Sequence, residues 1–129
     1  MNRSQQALCM FRVFYDHAKD SESMYYAWVS YLLQTPGYWT GVTGGLRYFD
    51  DQNMLKLLED TKQLIEARCN KRHVPLEMAS VQDLEQDHEL FLGMKHLYER
   101  FNEIAPDSLK RISMFIRSNP QDFVVLKEE

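Results

Sequence analysis

Hydrophobic residues recur every three or four positions along most of this chain, which is the spacing of one face of an α-helix. The first such pattern predicts a helix that Ser4 can cap and that ends near Lys19. Its apolar face comprises Leu8, Phe11, Phe14, Tyr15 and Ala18. The polar residues that follow predict a break before the next element.

The second predicted helix, Glu22 to Gln34, is apolar on nearly every side and ends before Pro36. Such a pattern indicates burial on several sides. This helix is therefore either the central helix of the fold, with Trp28 in the core, or a helix partly covered by another chain. Under the second interpretation, Tyr25 and Tyr26 contribute to a partner-binding surface.

Three further helices are predicted after residue 49. The third begins at Asp50-Asp51 and runs to about Arg72, because carboxylates suit the free N–H groups of a first turn. The fourth begins at a capping box, Ser80 to Asp83, and extends to about Ile104. The fifth covers about Asp107 to Ser118, with Pro106 in its first turn.

These patterns predict an all-α fold, a single-domain irregular bundle of about five helices over residues 1–129. The length is sufficient for one core without metal or disulfide cross-links. The final segment, "QDFVVLKEE", is left open between an edge strand, a packed extension and a frayed end.

The segment "TPGYWTGVTGGLRYF", Thr35 to Phe49, interrupts the helical pattern with four of the five glycines. We expect an irregular loop or a short hairpin turning at Thr43-Gly44-Gly45. Its aromatic residues either cover the core as a lid or form a recognition surface, because aromatic residues and Arg dominate interface energetics. With the two tyrosines of the second helix, the predicted partner-binding set is Tyr25, Tyr26, Tyr38, Trp39, Arg47, Tyr48 and Phe49.

One fragment resembles part of a metal site. Glu85 and His88 form an E-x-x-H pattern, and residues three apart share a helix face. Carboxylate-bridged metal bundles use two such motifs with two further glutamates, and this chain has one. A hydrogen-bonded core histidine is the competing interpretation, and we expect no metal and no cofactor.

The charge of the chain argues against a nucleic-acid protein. The net charge is −4 and the isoelectric point about 5.6, whereas nucleic-acid binders usually carry a basic excess. A basic cluster at the end of the third helix is explained by the helix dipole. A nucleic-acid regulator nevertheless remains an alternative, and it would use Arg68, Lys71, Arg72, Lys110, Arg111 and Arg117.

The remaining sequence features favour a non-catalytic protein. No phosphate loop, nucleophile elbow or CxxC pair is present, and Cys9 and Cys69 are expected to be free thiols, with a disulfide as the alternative. The absence of a signal sequence or membrane-spanning run predicts a soluble, cytoplasmic protein. We expect an adaptor, a chaperone-like cofactor or an inhibitor that binds another protein, or a second copy of itself, through an aromatic surface. A metal or small-molecule bundle centred on Glu85 and His88 is the alternative.

Overall fold

The computed structural model describes residues 3–118, with the side chains of residues 3–5 and 7 excepted. The described chain contains these α-helices: α1 (Arg3–Ala18), α2 (Glu22–Gln34), α3 (Tyr38–Tyr48), α4 (Gln52–Arg72), α5 (Asp83–Gln86) and α6 (His88–Ser118). A 3₁₀ turn, Leu76–Met78, links α4 to α5, and no strand occurs within the described range. The predicted all-α single-domain bundle is confirmed. The segment with three alternatives, "QDFVVLKEE", lies outside the described residues.

Helix α2 is the central helix of the bundle, which is the first of the two interpretations of its apolar pattern. It packs against α1, α3, α4 and α6, and its first turn is capped by the side chain of Ser21. Tyr25 and Tyr26 are fully buried, and their hydroxyls bond to Thr61 at 2.7 Å and to Asp83 at 2.8 Å. Burial raises the pKa of both phenols. The expectation that these two tyrosines lie on a partner-binding surface is therefore wrong.

The glycine-rich segment is a helix, α3, and not the predicted loop or hairpin. Gly37 takes up the turn between α2 and α3, with φ of +83°. The side chain of Met10 lies so close to Gly41 that a β-carbon at Gly41 would collide with it. This glycine therefore permits close approach of α1 and α3, which a sequence pattern cannot distinguish from a turn.

The predicted fourth and fifth helices are divided differently in the structure. The predicted fourth helix breaks at Asp87, whose backbone is extended, so that α5 is one short turn. The predicted boundary between the fourth and fifth helices is absent, because α6 continues through Pro106. Pro106 has no backbone N–H, so the carbonyl group of Asn102 loses its helical hydrogen bond. Both residues are exposed. Water can therefore satisfy that carbonyl, and the proline is tolerated in the helix.

A charged network fixes the junction between α4, α5 and α6. Asp83 accepts a hydrogen bond from the backbone N–H of Ser80 at 2.9 Å, which is one half of the predicted capping box. Arg68 of α4 contacts both Asp83 and Asp87 at 3.3 Å, and Arg72 contacts Asp87 at 2.9 Å. This network holds the short helix α5 against the longer helices on either side.

Candidate functional site: an uncharged aromatic groove

The predicted partner-binding residues do not form one surface. Phe49 is buried, and its ring packs against the ring of Phe115 in α6 with centroids 5.2 Å apart. Tyr48 contacts the same ring at 5.0 Å. These contacts belong to the core, so the assignment of Phe49 to an exposed surface is wrong. The carboxyl end of α3 thus serves to attach that helix to α6.

Trp39 and Arg47 point towards α4 and away from the other rings of the predicted set. The Trp39 ring lies 5.5 Å from the ammonium group of Lys62, a cation–π distance. Arg47 forms an exposed ion pair with Glu59 at 3.9 Å. Tyr38, also of α3, is exposed on a side of the helix that does not face α4, and its ring lies next to the aromatic rings of α2.

Tyr38 belongs to a groove of about 280 Å³ where α1, α2 and α3 meet. Phe14, Leu32 and Val42 are buried and form its floor, while Val13 and Tyr38 are exposed at its rim, at 52% and 42%. Together with half-buried residues of the walls, the lining comprises Cys9, Met10, Val13, Phe14, Trp28, Leu32, Tyr38 and Val42. We refer to these eight residues as the aromatic groove.

Four aromatic side chains follow one another along one edge of the groove. The ring of His17 stacks on Trp28, with centroids 4.3 Å apart and planes inclined by 9°. Trp28 meets Tyr31 edge to face at 5.2 Å, and Tyr31 meets Tyr38 edge to face at 5.7 Å. Edge-to-face and stacked pairs are the favourable arrangements of aromatic rings. The exposed rings of Tyr31 and Tyr38 are therefore held in position by their neighbours.

The surface that α2 and α3 form around the aromatic groove carries almost no charge. The sequence from Ser23 to Leu46 contains no Asp, Glu, Lys, Arg or His, although Asp, Glu, Lys and Arg make up 26% of the chain. On the side of α1, the nearby charges of Arg12 and Asp16 are paired at 3.9 Å. Long charge-free stretches are expected for buried helices, whereas here part of the stretch is exposed. The charge-free stretch is the sequence signal that points towards the groove, whereas the exposure of part of it is known only from the structure.

The predicted metal residues lose the helical geometry on which that hypothesis depended. Glu85 lies in α5 and His88 begins α6, so the break at Asp87 separates them. Both are exposed, and the His88 ring lies over the ring of Phe91, with centroids 6.5 Å apart. Within residues 3–118, no group of three or more His, Cys, Asp or Glu side chains is arranged to hold a metal ion.

The basic residues at the end of α4 act within the fold. Arg68 and Arg72 bind Asp83 and Asp87, and Lys71 contacts Glu89 at 3.3 Å. The other proposed nucleic-acid residues are on α6. There Arg111 donates to the backbone oxygen of Asp50, while Lys110 and Arg117 are exposed. The basic residues of α4 are thus already neutralised by carboxylates, which weakens the case for a phosphate-binding surface.

The two cysteines are free thiols, as expected, and they differ in position. Cys9 lines the aromatic groove, whereas Cys69 lies in α4, where burial raises the pKa of its thiol.

No helix in the described part of the chain is long and apolar enough to cross a membrane. Comparison with known protein families, curated proteins and solved structures found no match for this chain.

Proposed function

We propose that this protein is a non-catalytic binding protein, an adaptor, chaperone-like cofactor or regulator, that holds another protein on the aromatic groove and its exposed rings. The observation that carries this proposal is a solvent-exposed, charge-free surface with Tyr31 and Tyr38 at 44% and 42% exposure. Exposed apolar patches of this kind mark interaction sites.

The composition of the face matches the central part of a protein–protein interface. Such regions are depleted in charged residues and enriched in Tyr, Trp, Phe and Met. The groove and its rings contain Met10, Phe14, Trp28, Tyr31 and Tyr38. Because the lining of the aromatic groove contains no charged side chain, its burial against a partner has a small polar cost.

The rigidity of the rings supports the same function. Tyrosine has few rotatable bonds, so it gives contact area at a low cost in conformational entropy. Here the exposed Tyr31 contacts Trp28 on one side and Tyr38 on the other. The free protein therefore already holds these rings near one arrangement, which reduces the entropy lost on binding.

The proposal can be tested with two matched double variants of the full chain. Tyr31→Ser/Tyr38→Ser removes the exposed rings of the face. Val81→Ser/Leu92→Ser removes two apolar side chains of similar exposure, 44% and 52%, from another part of the surface. Helical circular dichroism and melting temperature establish that both variants fold.

The measurement is quantitative cross-linking and capture in the native cell, with wild type and the two variants compared side by side. We expect a defined partner to be retained by the Val81→Ser/Leu92→Ser protein and lost from the tyrosine variant. Sedimentation of the purified proteins shows whether that partner is a second copy. Equal partner sets for the two folded variants would contradict the proposed function.

A further inference from the structure

We infer that the aromatic groove is a socket for one uncharged aromatic side chain, phenylalanine- to tryptophan-sized, presented by the partner protein. This inference rests on the proposed function and specifies the anchor that the face accepts. Three properties of the groove carry it: its volume, its lack of charge and the chemistry of its walls.

The volume suits one large side chain. An apolar cavity of about 150 Å³ accepts benzene, whereas sites for drug-sized ligands and cofactors begin at roughly 300 Å³. The groove, at about 280 Å³, lies between these limits. It therefore has room for one ring larger than benzene and lies at the lower limit of sites for drug-sized ligands. Interface hot spots are typically single aromatic anchors in pockets of this kind.

The electrostatics of the groove select a neutral occupant. The lining contains no Asp, Glu, Lys, Arg or His, and its polar side-chain groups are limited to the Cys9 thiol, the Trp28 indole N–H and the Tyr38 hydroxyl. A charged side chain placed here would lose its hydration without gaining an ion pair. A neutral ring loses little hydration and can meet one of these groups at its edge.

The walls favour an aromatic ring over an aliphatic chain. Trp28 and Tyr38 offer ring edges and faces on one side, and aromatic pairs gain beyond their buried area. On the opposite side, Cys9 and Met10 of α1 line the groove, and sulfur-containing side chains make favourable contacts with aromatic rings. Met10 is also unbranched and flexible, so it can adjust to the shape of the ring.

The test uses the purified full chain and three small probes: indole, indole-3-acetate and tryptamine. They share one ring system and differ in charge. Indole is expected to bind in about the millimolar range, as befits a fragment of its size. Two pairs of residues supply internal controls. Cys9 lies in the groove and Cys69 does not, and Met10 lines the groove whereas Met114 is exposed on α6.

At an indole concentration about ten times its Kd, alkylation of Cys9 should slow about tenfold, with Cys69 unaffected. The nuclear magnetic resonance signal of the Met10 methyl group should shift, and that of Met114 should not. The two charged probes should bind at least about tenfold more weakly. No protection of Cys9 by indole, or equal binding of all three probes, would overturn the inference.

A filled groove provides the second arm. Val13→Phe places a ring at the rim, and Leu92→Phe is its control, because both positions are 52% exposed. We expect Val13→Phe to abolish indole binding and partner capture, and Leu92→Phe to preserve both. If Tyr31→Ser/Tyr38→Ser loses the partner while indole fails to bind, the proposed function stands and the socket does not. If indole binds to the wild type, but neither Val13→Phe nor Tyr31→Ser/Tyr38→Ser changes the capture of the partner protein, the proposed function fails instead.

Discussion

Asp87 is the residue whose removal should most clearly perturb the junction of α4, α5 and α6. One oxygen of its carboxylate accepts the backbone N–H of Leu90 at 3.1 Å, which caps α6. The other accepts from Arg68 at 3.3 Å and from Arg72 at 2.9 Å. The side chain therefore has two separable roles, a helix cap and an ion-pair acceptor. Two substitutions distinguish them.

Asp87→Asn retains a capping oxygen and removes the charge, whereas Asp87→Ala removes both. The side chains of Asp87 and Arg68 are each 10% exposed, so solvent screens their interaction little. Hydrogen bonds to charged groups contribute about 1.5–3 kcal/mol. Arg68 keeps Asp83 as a partner, which places the loss near the lower end. We expect Asn to cost about 2 kcal/mol and Ala about 3 kcal/mol, since a cap contributes about 1 kcal/mol.

The measurement is urea denaturation followed by helical circular dichroism at pH 7. Lys71→Gln is a suitable control, because its ion pair with Glu89 is exposed and should contribute little. Equal losses for Asn and Ala would show that the cap contributes nothing. A loss below about 0.5 kcal/mol for Asn would refute the reasoning about the charged network.

The same carboxylate makes stability depend on pH in the acid range. The N–H group of Leu90, together with Arg72 and Arg68, lowers the pKa of Asp87 below its ordinary value. A lowered carboxylate pKa stabilises the fold above the unfolded value of about 3.9, and this stabilisation is lost as the pH falls through the folded pKa. The wild type should therefore lose more stability than Asp87→Asn between about pH 5 and pH 2. Parallel curves for the two proteins would contradict this assignment.

Three further substitutions probe the backbone and the groove. Gly44→Ala should stabilise the fold by up to about 1 kcal/mol, because no atom beyond its chain neighbours and its own helix backbone lies within 4 Å of the added β-carbon. Gly41→Ala should gain less, because Met10 must move; equal gains in denaturation midpoint would contradict this. His73→Gly should stabilise by about 0.5 kcal/mol, since His73 has a φ of +55° at the end of α4; a lower melting temperature would refute it. Trp28→Ala should lower the free energy of unfolding, measured in urea, by about 2 kcal/mol, because Trp28 is half-buried. Removal of a fully buried aromatic side chain costs roughly 3–5 kcal/mol, so a larger loss than expected would place Trp28 in the core.

Helix ends with a local chemical cause were predictable from the sequence. The predicted bounds of α2, Glu22 to Gln34, are confirmed, because Ser21 caps one end and Pro36 blocks continuation beyond the other. The start of α4 is set by Asp51, whose side chain accepts the N–H of Met54 at 3.1 Å. Each signal acts within a few residues and does not depend on the rest of the fold.

The errors occurred where tertiary contacts decided between local alternatives. The glycines of α3 suggested a turn, although Trp39, Val42, Leu46 and Phe49 follow helical spacing. Packing of that face outweighs the helix propensity lost at the glycines. At Pro106, solvent exposure permits the helix to continue, and exposure is not a local property of the sequence. In both places the packed structure decides which signal prevails.

The position of the candidate site follows from the way the aromatic residues of α2 are divided. Tyr25 and Tyr26 are buried, whereas Trp28 and Tyr31 lie where α1 and α3 leave α2 partly uncovered. Hydrophobicity alone cannot separate these pairs, since all four residues would suit a core. The charge-free stretch from Ser23 to Leu46 contains all four residues and does not separate them, although a surface helix normally carries charged residues on its solvent side. We propose that the exposed part of α2 at Tyr31, which lacks such a charge, becomes buried in a complex, and Tyr38 extends that region onto α3.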